Sequence, residues 1–148
     1  MEQNIKKALR LAMEIEKHFE GWSSEVYICP GGYPTIGYGH RCSIDHPPID
    51  SGQGEAYLLM DNQTALNGVT KYCPILLPYP EKMGAIIDFT FNLGVGNLWA
   101  STLRKKINEG DWEASKKELS RWVYAKGKKL PGLIARRAVE AALMGDNA

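Results

Sequence analysis

From Ile5 to Phe19, apolar side chains recur at positions 5, 8, 9, 12, 15 and 19, with lysines, arginine and glutamates between them. That spacing predicts an amphipathic helix, and Gly21 supplies its stop. Between Trp22 and His40 the helical period disappears: Tyr, Val, Ile and Thr alternate with Pro30-Gly31-Gly32 and with glycines at 37 and 39. This pattern predicts a short antiparallel hairpin with a tight glycine turn, extending to about Ile44. Asp45 to Pro48 reads as a loop. Asp50 or Ser51 then caps a helix running to about Lys71, with Gln53 placed to complete a capping box. Three prolines between Cys73 and Pro80 interrupt the chain, and from Glu81 onward the pattern is helical. Ala85, Ile86, Phe89 and Leu93 form one expected buried stripe. Leu103 with Ile107, and Trp112 with Leu119 and Trp122, predict further short helices, and a last helix runs from Gly132 to about Met144.

These elements describe an α+β chain that is mostly helical and has two lobes. A small lobe at about 22–50 holds the hairpin, and a long helix at about 51–71 links it to a larger helical lobe at about 74–148. The first helix packs back on that larger lobe. The 148 residues suffice for a single domain, 1–148, with a substantial core. The sequence contains no internal repeat or low-complexity segment.

Composition narrows the function classes. With 44% apolar and 24% charged residues the chain is neither disordered nor fibrous. No apolar run approaches the ~18 residues of a membrane span. The segment from Met1 to Lys17 is charged throughout and lacks a signal-peptide core, which predicts a protein made and held in the cytoplasm. Cys29, Cys42 and Cys73 are too few for a disulfide framework, and whether Cys42 pairs with Cys73 is left open by the sequence. Net charge is only +1, but Arg104 to Arg137 carries eleven lysines and arginines against four acids, a local +7 that leaves the remainder at −6. Such a surface suits a polyanion, including a cell wall, or is simply a set of solvated helix faces.

The candidate chemistry lies in Phe19-Glu20-Gly21-Trp22, Val26 to Cys29, and Gly32 to His40. Glu20 stands at the C-terminus of the first helix, where the negative end of the helix dipole disfavours a carboxylate and favours its acid form. Cys29 and Thr35 follow nine and fifteen residues later on the hairpin. An acid and a second group on opposite walls of a cleft are what glycosidic cleavage requires: one protonates the leaving oxygen, the other serves a water or the anomeric carbon.

Taken together, E-G-x5-Y from Glu20, T-I-G-Y-G-H from Thr35, F-N-L-G-V-G from Phe91, S-T-L-R-K-K-I-N-E-G-D-W from Ser101 and R-W-V-Y-A-x-G-K-x-L-P-G-L-x-x-R-R from Arg121 resemble the phage-type lysozymes, glycoside hydrolase family 24. The resemblance covers nearly the whole chain and implies a lysozyme-like fold. It also implies an endolysin that hydrolyses the β-1,4 bond between N-acetylmuramic acid and N-acetylglucosamine in peptidoglycan, for host lysis and phage release. The family's Glu, Asp and Thr fall on Glu20, Cys29 and Thr35, so a thiol stands where Asp is commoner. With a reference pKa near 8.5, Cys29 has to be partly ionised to act as base or nucleophile. The same resemblance places Asn92 on the cleft wall among the sugar contacts, and implies no cofactor and no metal. A holin-type membrane protein would give access to the wall.

Tyr33 and His40 are further candidates for the substrate site, although His40 reads foremost as a residue orienting the hairpin against the next helix. Arg136 or Arg137 could reach back to hold Glu20. Trp112 and Trp122 read as core, whereas Trp22 or Trp99 could line a sugar site. Three rivals are weaker. Cys29, His40, Cys42 and His46 are poorly spaced for a structural zinc module. The basic segment carries no nucleic-acid recognition motif. A lytic transglycosylase would cut the same bond without needing a second catalytic group. The expected protein is a monomer whose partner is peptidoglycan, not nucleic acid.

Overall fold

The structure is a computed structural model that describes residues 1–145. Helix α1 (Glu2–Glu20) buries Ala8, Ala12 and Ile15 and ends at Gly21, whose φ of 67° lies in the left-handed region. Its small residues admit a close neighbour. A Cβ at Gly84 of α3 (Pro80–Leu93) would lie 3.1 Å from the Ala8 carbonyl oxygen, so α1 and α3 cross with almost no gap.

Helix α3 is buried on every side from Met83 to Thr90, which corrects the expectation of a single stripe. It is the centre of the core, with Leu76, Leu98, Leu103, Ile107, Leu119 and Met144 packed around it. Because α3 has no solvent face between Met83 and Thr90, its one mid-helix acid, Asp88, is enclosed as well.

Helix α2 (Ser51–Tyr72) starts as expected. Asp50 Oδ1 accepts from Gln53 N at 2.8 Å, and Gln53 Oε1 accepts from Asp50 N at 3.2 Å. A one-turn 3-10 helix (Pro74–Leu76) separates α2 from α3. Helices α4 (Val95–Ala100), α5 (Thr102–Asn108), α6 (Trp112–Leu119) and α7 (Pro131–Met144) follow. The result is mostly helical with a small antiparallel sheet, as the sequence pattern required.

The hairpin gains a strand that the pattern did not predict. Strands β1 (Ser23–Ile28), β2 (Pro34–Gly37) and β3 (His40–Arg41) form an antiparallel sheet in that order, with Tyr27 opposite Thr35, Ile28 opposite Pro34 and Ile36 opposite His40. A second correction lies in the region read as wholly helical: β4 (Tyr124–Ala125) and β5 (Lys128–Lys129) form a small hairpin between α6 and α7. Lys126 turns it with a φ of 50°.

Trp112 is buried, and the half-buried Trp122 ring meets Phe89 edge-on at 5.4 Å, so both belong to the core. Trp22 lies over Gly54 of α2 and beside Tyr38 at 5.1 Å, a clamp between sheet and helix that only a glycine at 54 permits. All three cysteines are free thiols, and burial pushes Cys73 up to about 12.

Candidate active site

A cleft of about 910 Å³ runs between the three-stranded sheet and the ends of α1, α3 and α7. Glu20, Cys29, Thr35, Tyr33, His40, Asn92 and Arg136 all line it, while Arg137 sits behind the wall. Neither Trp22 nor Trp99 is among its lining residues, which corrects the sugar-site reading of those two rings. The aromatic lining comes instead from Phe19, Tyr27, Tyr33, Phe91 and Tyr124.

Glu20 is the last residue of α1, as the glycine stop requires. Its carboxyl is held on one side by Arg136, whose Nη1 donates to Oε2 at 2.7 Å. Oε1 points at the Gly39 backbone: a Cβ there would sit 2.7 Å from Oε1 and 2.6 Å from Cδ. Gly39 also has a φ of 77°, so two independent constraints demand glycine at this position. The sequence reading puts Glu20 at this helix end and names Arg136 or Arg137 as the group reaching back to it.

Arg136 is only 4% exposed and belongs to two carboxyls at once. Its Nε and Nη2 donate to Asp88 Oδ2 and Oδ1 at 3.0 and 2.8 Å, a bidentate pair, while Nη1 reaches Glu20. The Asp88 pair therefore fixes the plane of the guanidinium that orients Glu20. Of the two arginines considered for this task, Arg136 performs it. Arg137 donates instead to Asn92 Oδ1 at 2.7 Å and to Glu140 Oε2 at 2.9 Å.

Opposite Glu20, Cys29 closes the end of β1 in the turn Pro30-Gly31-Gly32. Burial pushes its thiol up, but N–H groups of Tyr33, Gly31 and Gly32 and the Thr35 hydroxyl favour the thiolate, and the net shift is below the ordinary thiol value. Thr35 is 2% exposed, and its Oγ1 also donates to the Tyr33 carbonyl at 2.8 Å. One hydroxyl proton thus serves the turn or the sulfur. Tyr27 faces both candidate groups: its phenol is pushed up by burial and then by the charges of Glu20 and Cys29.

His40 lines the cleft yet is anchored outward. Its Nδ1 bonds Asp61 Oδ2 at 2.8 Å, and its ring stacks on Tyr57 at 4.1 Å, both from α2, so it ties β3 to that helix. Tyr33 is exposed and lies under the Arg41 guanidinium at 3.9 Å. Asn92 spends its carbonyl oxygen on Arg137, which leaves its Nδ2 for the cleft.

The zinc reading fails on the positions of its donors. His46 Nε2 bonds the Tyr57 hydroxyl at 3.0 Å and Nδ1 bonds the Pro47 carbonyl at 2.7 Å, while Cys29 faces the cleft. No cluster of three or more His, Cys, Asp or Glu side chains suited to a metal ion occurs among the described residues.

With an acid, an ionisable sulfur and a hydroxyl lining one cleft, comparison with known proteins decides the family. The phage lysozyme family model matches residues 17–140. The chain belongs to the phage lysozyme family. An endolysin of Acyrthosiphon pisum secondary endosymbiont phage 1 is 37% identical over 134 residues, covering 86% of this chain and 90% of that protein. A SAR-endolysin of Bacteriophage PS119 is 35% identical over 123 residues, covering 82% and 73%. Among solved structures, the endolysin of Escherichia coli O157:H7 phage FAHEc1 superposes with a TM-score of 0.76 at 32% identity, covering 94% of this chain and 93% of that one. Among the described residues no helix is long and apolar enough to cross a membrane.

Two residues of the site escaped the sequence reading. Asp88 looked like one polar position in a helix, although an acid inside Ala85-Ile86-Ile87-Asp88-Phe89 signals a buried partner. Tyr124 comes to the cleft on the second hairpin, whose Val123-Tyr124-Ala125-Lys126-Gly127 carries a strand-and-turn signature too short to stand out.

Proposed function

We propose that this endolysin hydrolyses the β-1,4 bond between N-acetylmuramic acid and N-acetylglucosamine, with Glu20 as general acid and Cys29 as the second catalytic group. The observation that supports this reading is the shared cleft: a carboxyl on a helix end and a thiol whose surroundings favour the thiolate line the same trough. Arg136 grips Oε2, so the proton delivered to the glycosidic oxygen sits on Oε1, beside Gly39. As the bond to C1 breaks, positive charge builds on the sugar ring. The Cys29 thiolate then takes a proton from a water attacking C1, or its sulfur bonds C1 and the adduct is hydrolysed. Thr35 orients the water or the sulfur through its hydroxyl. Asn92 and Tyr33 contact the sugars, and His40 holds the wall that carries them.

The first route inverts the anomeric centre and the second retains it. The anomeric configuration of the first product, followed by NMR on a defined muropeptide oligomer, separates them. C29D should keep most activity and C29S should lose most of it. A C29S variant that lyses walls at the parent rate would remove Cys29 from the chemistry. A 1,6-anhydro end on the product would replace hydrolysis by the transglycosylase reaction. We further propose that the chain works as a monomer and reaches the wall through a membrane opened by a holin-type protein. Overproduction alone should then leave cells intact, and spontaneous early lysis would overturn that part.

A further inference from the structure

Glu16 has no place in the chemistry above, yet it is 0% exposed and lies one helical turn before Glu20 on the same face of α1. Its Oε1 accepts from Asn62 Nδ2, on α2, at 2.5 Å, and that nitrogen also donates to the Leu58 carbonyl at 2.8 Å. Two buried atoms are left over, Glu16 Oε2 and Asn62 Oδ1, and neither has a hydrogen-bond partner among the described residues. As carboxylate and amide oxygens both are acceptors and cannot satisfy each other. A single proton changes that, because a carboxylic acid and a primary amide each offer one donor and one acceptor to the other.

The surrounding charges point the same way. Glu16 faces Asp88 from α3, Glu20 from its own helix and Arg136 from α7, while Asn62 on α2 is neutral. Arg136 is already divided between Asp88 and Glu20. A third negative charge there would be enclosed without a cation of its own and would compete for the guanidinium that orients Glu20.

We propose that Glu16 is held as a neutral carboxylic acid in a two-hydrogen-bond pair with Asn62, and that it is a positioning residue whose proton keeps Arg136 available to Glu20. The second half rests on the reading of Glu20 as the acid. Burial, and after it Asp88, accordingly push Glu16 up to about 9.

The test is E16Q, whose amide can make the same two bonds to Asn62 with no titratable proton. Infrared difference spectra at pH 7 should show a protonated carboxyl band in the parent that E16Q lacks; every other carboxyl is common to both proteins, so the parent-minus-variant spectrum isolates Glu16. Stability gives a second reading. A carboxyl raised from 4.5 to about 9 on folding favours the native state most at low pH. That contribution is lost as pH rises through the interval, so the parent's unfolding constant gains up to about tenfold per pH unit relative to E16Q. Loss of the Glu20 proton lowers turnover in both proteins as pH rises, and around pH 9 the parent should fall further than E16Q, because there ionised Glu16 also competes for Arg136.

Identical infrared spectra, or unfolding constants that run parallel across the interval, would overturn the proton on Glu16. Alkaline limbs that run parallel in parent and E16Q around pH 9 would overturn its positioning role. The spectra and the unfolding data need no turnover, so they decide the protonation even if the proposed reaction is wrong.

Discussion

Replacing Arg136 tests the framework that holds the proposed acid. Its guanidinium makes three charge-assisted hydrogen bonds, two to Asp88 and one to Glu20, from a position only 4% exposed. Arg136→Met fills much of the volume but leaves Asp88, which is 0% exposed, without its cation. Removing one partner of a buried ion pair costs about 3–5 kcal/mol. For a protein of this size about 2–4 °C of melting temperature is lost per kcal/mol, so the drop should be about 6–20 °C. Arg136→Lys keeps the charge but cannot fork across Asp88 while reaching Glu20, and should cost about 2–3 kcal/mol through lost bonds. The decisive arm is a double-mutant cycle. In the Met background Asp88→Asn discharges the stranded carboxyl and should recover about 1–3 kcal/mol, whereas alone it destabilises. Urea unfolding at pH 7 measures all four corners. A Met variant within about 1 kcal/mol of the parent, or one that Asp88→Asn makes worse, would refute the claim that the Asp88 pair fixes this guanidinium.

Four other outcomes follow from the geometry. The Cys29 thiol sits below its ordinary value, so its alkylation rate by iodoacetamide should titrate below that of a free cysteine, and Thr35→Val should move the midpoint upward. Wall lysis should decline in mild acid as the proton returns to sulfur, and C29D should remove that decline; a flat parent rate from about pH 5 to 8 would count against a working thiolate. Gly39→Ala would push a methyl to within 2.6 Å of a carboxyl that Arg136 already restrains, so lysis should fall at least about tenfold at a stability cost of about 1–3 kcal/mol. A G39A protein with parental lysis would show that Glu20 can move freely. Lys126→Gly should relieve the left-handed residue at the tip of the second hairpin and raise stability by about 0.5–1 kcal/mol in the same urea assay; destabilisation would mean that the Lys126 side chain, lodged against Gly32, contributes more than the backbone strain costs.

What the sequence disclosed, and what it withheld, divides by the range of the interaction. The C-terminus of α1 at Gly21, the Asp50–Gln53 capping box and the core positions of Trp112 and Trp122 depend on neighbours a few residues away or on strong periodicity, and each was legible. Strand β3 and the β4–β5 hairpin were not, because two-residue strands carry no period and exist through the partner that pairs with them. The all-round burial of α3 was equally hidden: an apolar stripe shows one packed face, but only the arrival of α1, α2 and α7 encloses the others.

The same division runs through the site. Glu20, Cys29 and Thr35 stand within sixteen residues of one another, so their spacing could be read along the chain. What holds Glu20 comes from 68 and 116 residues away, and nothing local at Asp88 or Arg136 announces the other. Glu16 shows the consequence most sharply. On the helical pattern it is a polar residue of the kind that faces solvent. Yet it follows the buried Ile15 onto the side of α1 that meets α2 and α3, and there Asn62 receives it. An acid in that place is tolerable only if a proton or a cation accompanies it. Arg136 being committed elsewhere, the structure leaves the proton, and the charge state of the framework beneath Glu20 is set by a residue whose sequence position gives no hint of it.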